Sequence, residues 1–160
     1  MKAQDHEHQA QQHDHHYRRL ALMSVLSFGA MYGLMYAMVD TFGNVYANVN
    51  QFYMAALMAA PMVILELILM GMMYTNKRRN ALVMGLSVVV LAGSWFGIRQ
   101  QALVSDRQFL RSMIPHHAGA LLMCGKAKLQ DPEIVELCRT ILAGQQAEID
   151  QMNSILDRLE

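Results

Sequence analysis

The stretch FYMAALMAAPMVILELILMGMMY, residues 52–74, decides the fold, and its one charged residue is Glu66. A helix crosses the hydrocarbon core of a bilayer with about 20 consecutive apolar residues, and this run is long enough. Two further runs, residues 20–39 and 81–98, contain no charged residue. Together they predict three transmembrane helices, against the alternative of a soluble bundle with unusually apolar helices.

The composition limits the function classes. The 160 residues are 54% hydrophobic and 16% charged, which is apolar for a soluble domain, and the formal net charge is zero. No basic surplus therefore indicates nucleic-acid binding. No nucleophile motif, phosphate loop or carboxylate pair indicates hydrolysis. We expect a protein that is not an enzyme and whose partners include the lipid bilayer but no nucleic acid.

Basic residues predict the membrane orientation. Arg18 and Arg19 precede the first run, and residues 77–79 (KRR) separate the second and third runs, whereas residues 40–51 contain no Lys or Arg. The positive-inside rule then places the N-terminus in the cytoplasm and everything after the third run outside. We expect a bacterial inner (plasma) membrane protein with a periplasmic or extracellular C-terminal domain. The first run is longer than the apolar core of a signal peptide, so it should remain uncleaved.

Three regions follow along the chain, and the predicted fold class is all-α. Residues 1–19, with HEHQAQQHDHH, form a His-rich tail that should be disordered and could bind metal weakly. Residues 20–98 form the three-helix transmembrane region. Residues 99–160 should form a soluble antiparallel helical hairpin. A hairpin of this size is marginal alone, so we expect a homo-oligomer in which two copies complete a four-helix bundle, or docking on the membrane region.

The hairpin itself has clear boundaries in the sequence. Its first helix should begin near Ser105 or Asp106 and run to about Leu129, and Asp131 should cap the second. With a turn at residues 130–131, antiparallel packing places His116 opposite Gln145, Met113 opposite Glu148, and Cys124 opposite Cys138.

The segment MIPHHAGALLMC, residues 113–124, concentrates metal-binding side chains. Met113, His116 and His117 are spaced i, i+3, i+4 and share one helical face. Thioether and thiolate sulfur favour Cu(I), and imidazole suits copper and zinc. A Glu or Gln of the second helix could orient an imidazole through its other nitrogen. The alternative is that both histidines are structural or reach solvent.

A resemblance adds to these observations. FLRSMIPHHAGALLM followed by DPEIVELCRTILAGQQAEIDQM resembles a family of small ferritin-like helical proteins of unknown function that includes the CopM-type periplasmic copper-binding proteins. The shared pattern is M-x-P-H-H-x-x-A-x-x-M, then D-P-E-I, then Q-x-x-E-I-x-x-M, over about residues 105–155. The resemblance implies a copper-binding helical bundle, and a thiol where a small residue is common favours Cu(I) over Cu(II). The predicted metal ligands are Met113, His116, His117, Met123, Cys124 and Met152, supported by Gln145 and Glu148.

Two features of the sequence allow more than one interpretation. Cys124 and Cys138 could form a disulfide, provide two copper-binding thiolates, or pack as small buried hydrophobes. Glu66 lies within an apolar run, where an acid is costly and suggests a functional site.

The expected function is a membrane-anchored periplasmic copper-binding protein for copper tolerance or handling. The alternative is a non-catalytic dimerisation or partner-binding membrane protein with structural histidines. A third class, a copper redox enzyme, would need an open coordination position.

Overall fold

The structure, a computed structural model, describes residues 2–159, with side chains described from His15 onward. Within these residues the regular elements are helical, which confirms the all-α class. They are α1 (Lys2–Leu34), two short 3-10 turns (Met35–Met38 and Phe42–Asn44), α2 (Val49–Leu69), α3 (Lys77–Gln100), α4 (Asp106–Lys126) and α5 (Pro132–Leu159). Three helical segments are long and apolar enough to cross a membrane: His15–Met38, Val49–Leu69 and Lys77–Gln100.

The backbone of α1 is helical from Lys2 onward, whereas the composition of residues 1–19 predicted a disordered tail. The tail contains Gln, Ala, Glu and Arg, which favour helices, and neither Gly nor Pro interrupts the chain before Gly29. The apolar helix can therefore continue towards the N-terminus. The side chains of His6, His8 and His13 lie outside the described residues.

The chain divides into two compact units. The apolar unit comprises the chain up to Tyr32 together with Phe52–Ala102, and the amphipathic unit comprises Gly33–Gln51 together with Leu103–Glu160. The sequence placed residues 33–51 within the transmembrane region. They belong to the amphipathic unit because their side chains pack and hydrogen-bond with α4 and α5.

Most residues that α2 and α3 bury have small side chains, while Leu20, Val63, Leu67 and Tyr74 form a cluster of larger buried side chains in the same unit. The buried residues of α2 and α3 include Ala55, Ala56, Ala59, Ala60, Ser87, Ser94 and Gly97. The Tyr53 ring lies over Gly97, where an added Cβ would be 2.9 Å from the ring. The Tyr53 hydroxyl donates to the Ala102 carbonyl oxygen at 2.9 Å. The Tyr53–Gly97 contact is local, because Ala56, Ala59, Ala60, Ser87 and Ser94 line an open space between the helices.

A polar cluster lies at one end of the apolar unit. The Tyr17 hydroxyl donates to Asn80 Oδ1 at 2.6 Å, and Asn80 Nδ2 donates to the Tyr74 carbonyl oxygen at 2.7 Å. The Tyr74 hydroxyl in turn lies 3.3 Å from Glu66 Oε1 and donates to it. Burial raises the pKa of the Tyr74 phenol, and the nearby Glu66 raises it further. Tyr74 therefore stays protonated at neutral pH and gives Glu66 a donor.

The amphipathic unit has a core of larger side chains. Leu110, Ile114, Ala118 and Leu121 of α4 are buried against Ile149 and Leu156 of α5. Asp131 caps α5 as predicted, and Asp131 Oδ1 accepts from Glu133 N at 2.9 Å. Helix α4 begins where it was expected, and Ser105 caps it, since Ser105 Oγ accepts from Gln108 N. Helix α4 ends at Lys126, three residues before the expected end, so the connection to α5 is longer than the predicted turn.

Residues 33–51 cover a further side of α4. Val39 and Tyr46 pack against the core, and the Tyr46 hydroxyl donates to Asn153 Oδ1 at 3.1 Å. The backbone N–H of Val49 donates to Gln108 Oε1 at 2.9 Å. This segment thus makes hydrogen bonds to both α4 and α5.

Candidate metal-binding site

The two histidines lie side by side on α4. His116 is exposed, whereas His117 is only 14% exposed at its side chain. Their ring centroids are 5.9 Å apart in an edge-on arrangement. Met113 is half-buried one helical turn before His117. The i, i+4 spacing puts the thioether and the half-buried imidazole on the same strip of the helix.

Helix α5 contributes a carboxylate to this strip. Glu148 Oε2 lies 2.9 Å from His117 Nδ1. The carboxylate is not aligned for a regular hydrogen bond, and Nδ1 is buried without another partner. The His117 ring nitrogen and the Glu148 carboxylate are therefore within ion-pair distance, without a regular hydrogen bond between them. With Nδ1 directed at Glu148, Nε2 is the nitrogen left to bind a ligand.

This contact differs from the predicted register. Spacing alone placed Glu148 opposite Met113 and Gln145 opposite His116, and within the described residues Gln145 has no hydrogen bond to either histidine. Each Cα–Cβ bond tilts towards the N-terminus of its own helix. Where two helices run in opposite directions, as we propose below for α4 and α5, side chains in the positions of His117 and Glu148 tilt towards each other. The contact therefore forms between residues whose Cα positions differ by about one helical turn along the helix axes.

The cysteines are bonded to each other. Cys124 and Cys138 form a disulfide with a Cα–Cα distance of 5.3 Å. The expectation that they meet is confirmed, and of the three alternatives the structure has the disulfide. This corrects the prediction of Cys124 as a metal ligand, because metals bind the thiolate.

The other predicted ligands are dispersed. Met123 is 54% exposed, and Met152 packs against the core formed by Ile149 and its neighbours. The described side chains include no group of three or more His, Cys, Asp and Glu placed to hold a metal ion. The structure thus brings His117 and Glu148 together, with exposed His116 beside His117 in the sequence, and leaves the remaining predicted donors apart from this pair.

The buried face of α4 was missed by the sequence reasoning. The predicted face contained the histidines, Met113 and Met123, whereas the residues buried at the core are Leu110, Ile114 and Ala118. The two faces adjoin, at about 100° of rotation. The spacing of the aliphatic residues at i, i+4 and i+8 was the signal that could have found the core face.

Comparison with known proteins identifies the family. The family model described as a domain of unknown function, DUF305, matches residues 97–156. The uncharacterized protein L153 of Acanthamoeba polyphaga mimivirus is 34% identical over 141 residues, which cover 86% of this chain and 91% of the viral protein. This chain belongs to the DUF305 family. No solved structure matches it.

Membership in DUF305 corrects the resemblance drawn from the sequence. DUF305 is a ferritin-like helical family, so the helical part of the expectation stands. The CopM-type identification was wrong, because the matching family model carries no function and the viral relative is uncharacterized. A copper function for this DUF305 protein has to rest on its own residues.

Proposed function

We propose that this protein is a membrane-anchored binder of Cu(I) that serves copper tolerance or handling and performs no catalysis. The observation that carries the proposal is the 2.9 Å contact between His117 Nδ1 and Glu148 Oε2. A carboxylate beside one ring nitrogen orients the imidazole and leaves the other nitrogen for a metal ion, as in many protein metal sites. Exposed His116 and the Met113 thioether are the neighbouring donors.

The donor set favours Cu(I) over harder or higher-coordinate ions. The described His, Cys, Asp and Glu side chains include no group of three placed around one point, whereas Zn(II) sites use at least three such protein ligands. Thioether donors select Cu(I). Met113 is the nearest such donor along α4, and Met123, which is exposed, could serve from the same helix or towards a second copy.

The proposed topology has the N-terminus in the cytoplasm and the amphipathic unit outside, in the periplasm for a bacterial host. The basic residues before α1 and α3 support this orientation through the positive-inside rule. The Cys124–Cys138 disulfide supports it independently, because disulfides persist in oxidising compartments. With three crossings, residues 33–51 and α4 lie on the same side of the membrane, as their hydrogen bonds require.

We also propose that α4 and α5 form an antiparallel hairpin that pairs with a second copy. The opposite directions of the helices are supported by the disulfide near the connection and by Arg107, which donates to the Leu159 carbonyl oxygen at the far end. Ile134 and Leu137 of α5 are 47% and 57% exposed, and a second copy could cover them. The alternative function, a dimerisation module with structural histidines, rests on the same exposed side chains.

An anaerobic competitive Cu(I) titration of the full-length protein tests the copper site, with ascorbate as the reductant so that copper stays Cu(I) while the Cys124–Cys138 disulfide remains closed. The His116→Ala/His117→Ala variant should lose tight binding, and Glu148→Gln should weaken it about 10- to 100-fold. The matched control is His15→Ala/His16→Ala, which also removes two adjacent histidines but leaves α4 intact.

The titration separates the two candidate functions. Equal Cu(I) affinity in wild type and in the His116→Ala/His117→Ala variant would overturn the copper proposal. If that variant still dimerises in light-scattering measurements, the dimerisation module becomes the better description. Loss of binding only in the His15→Ala/His16→Ala control would move the metal site to the N-terminal tail.

A further inference from the structure

The apolar unit contains an elongated cavity. Its volume is about 750 Å³, and it runs along α1 from Tyr17 to Phe28 and along α3 from Val83 to Ser94. Eleven helical steps correspond to about 16 Å, which is roughly half of the ~30 Å hydrocarbon core. The cavity thus has the length of one leaflet of a bilayer.

The cavity wall is apolar throughout its length. None of the residues that line it is charged. Two hydroxyls that face this region are already bonded within their own helices: Ser24 Oγ donates to the Leu20 carbonyl oxygen at 2.7 Å, and Ser87 Oγ donates to the Val83 carbonyl oxygen at 2.9 Å. A hydrocarbon chain can therefore fill the cavity without leaving these wall hydroxyls unsatisfied.

Basic residues gather at one end of the cavity. Arg18 and Arg19 follow Tyr17, which lines that end, and the exposed residues 77–79 (KRR) begin α3. The Arg79 guanidinium lies 5.5 Å from the centre of the Tyr17 ring, which joins the basic group to the cavity wall. This end is therefore complementary to an anionic group.

We propose that the apolar unit binds one anionic phospholipid, with an acyl chain in the cavity and the phosphate headgroup at residues 18–19 and 77–79. Juxtamembrane clusters of Lys and Arg attract anionic lipid headgroups, and a cavity of this volume is within the range of ligand sites. The proposal goes beyond copper binding and depends only on the proposed insertion of this unit in the membrane.

Tryptophan quenching in the full-length protein tests the site, because Trp95 is the single tryptophan. In a Trp95→Phe background, Leu86→Trp places an indole at the cavity wall. Val88→Trp, two residues along α3, places one on the opposite face as the matched control. The protein is reconstituted in phosphatidylcholine vesicles with a few mole per cent of phosphatidylglycerol that carries brominated acyl chains.

We expect the brominated phosphatidylglycerol to quench the Leu86→Trp indole well beyond the Val88→Trp indole. Lys77→Gln/Arg78→Gln should weaken the preference for the anionic lipid about fivefold per charge, or roughly 30-fold in all. Arg99→Gln/Arg158→Gln removes the same charge elsewhere and should leave the preference unchanged. Circular dichroism of each variant confirms that the helices are retained.

Three results would overturn the proposal. Equal quenching at both positions, or an excess that brominated phosphatidylcholine produces equally well, would show no anionic-lipid site. Quenching at Leu86→Trp below that at Val88→Trp would show that a helix of a second copy fills the cavity. Absence of quenching at both positions with any brominated lipid would overturn membrane insertion itself, while Cu(I) titration of the same samples would still report the copper site.

Discussion

The two units of this chain bury opposite kinds of side chain. In the apolar unit the interior of α2 and α3 is rich in Ala, Ser and Gly, and large side chains such as Leu82 and Val89 are 73% and 66% exposed. In the amphipathic unit the interior holds Ile114, Ile149 and Leu156, each less than 3% exposed. The buried positions of α2 and α3 are thus mostly small, with Val63 and Leu67 as the larger exceptions, whereas those shared by α4 and α5 are mostly large aliphatic side chains.

Water and lipid would each favour one of these two patterns of burial. In water, burial of large aliphatic side chains drives packing, so the larger residues lie inside. In lipid that driving force is absent, and helices associate through close packing of small residues. Substitutions that disturb this sorting should therefore differ in cost between the two units, most at the aliphatic core and least at the polar cluster of the apolar unit.

Ile149→Ala should have the largest effect on stability. The side chain is 1% exposed, and truncating such a residue leaves a cavity that costs about 4 kcal/mol. Leu82→Ala, its counterpart in the apolar unit, removes a side chain that faces outward and should cost less than about 1 kcal/mol. Denaturant unfolding of the full-length protein, followed by hydrogen exchange in α5 and α3, measures both. Similar costs for the two variants would contradict the comparison.

Removal of the disulfide should have the next largest effect. The bond closes a loop with a sequence separation of 14, for which the chain-entropy estimate is about 3 kcal/mol. Cys124→Ala/Cys138→Ala should therefore lower the melting temperature of α4 and α5, and a reductant should lower it in the wild type but not in the variant. Cu(I) affinity should persist in the variant, since His116 and His117 remain. Loss of Cu(I) binding there would return the cysteine sulfurs to the metal site.

Gly97→Ala tests the close packing in the apolar unit. An added Cβ would lie 2.9 Å from the Tyr53 ring, and that ring is held by its hydrogen bond to Ala102. Overpacking of this kind costs about 1–3 kcal/mol. The control is Gly85→Ala on the same helix, where an added Cβ meets nothing within 4 Å and helix propensity should stabilise by up to about 1 kcal/mol. If both variants stabilise the protein equally, the Tyr53 contact is not formed.

Most of the helical architecture could be predicted from the sequence, because apolar run length and capping residues are local signals. The three long apolar helices, the beginning of α4 near Ser105 and the Asp131 cap are of this kind. The meeting of the cysteines was predicted from the expected hairpin register instead. The packing of residues 33–51 on α4 could not be predicted, since it depends on scattered polar contacts such as Val49 with Gln108. The predicted partner of Glu148 was Met113, one helical turn before His117. The register was calculated from the helical rise alone, without the tilt of the side chains.

Tyr74→Phe should have the smallest effect of these four and depends on pH. At neutral pH the variant loses the donor to Glu66, which costs about 1 kcal/mol. The pKa of Tyr74 is raised in the folded protein, so its contribution is complete below the unfolded pKa of about 10 and is lost as the pH rises towards the folded value. The difference in stability between wild type and variant should therefore be constant between about pH 6 and 9 and shrink above about pH 10. A difference that stays constant to about pH 11 would mean that burial of this phenol does not couple to folding. Every other titrating group is common to both proteins, so the difference between their free energies of unfolding reports on Tyr74 alone. Its pH dependence therefore tests whether water is excluded from the polar cluster of the apolar unit as it is from the aliphatic core of the amphipathic unit.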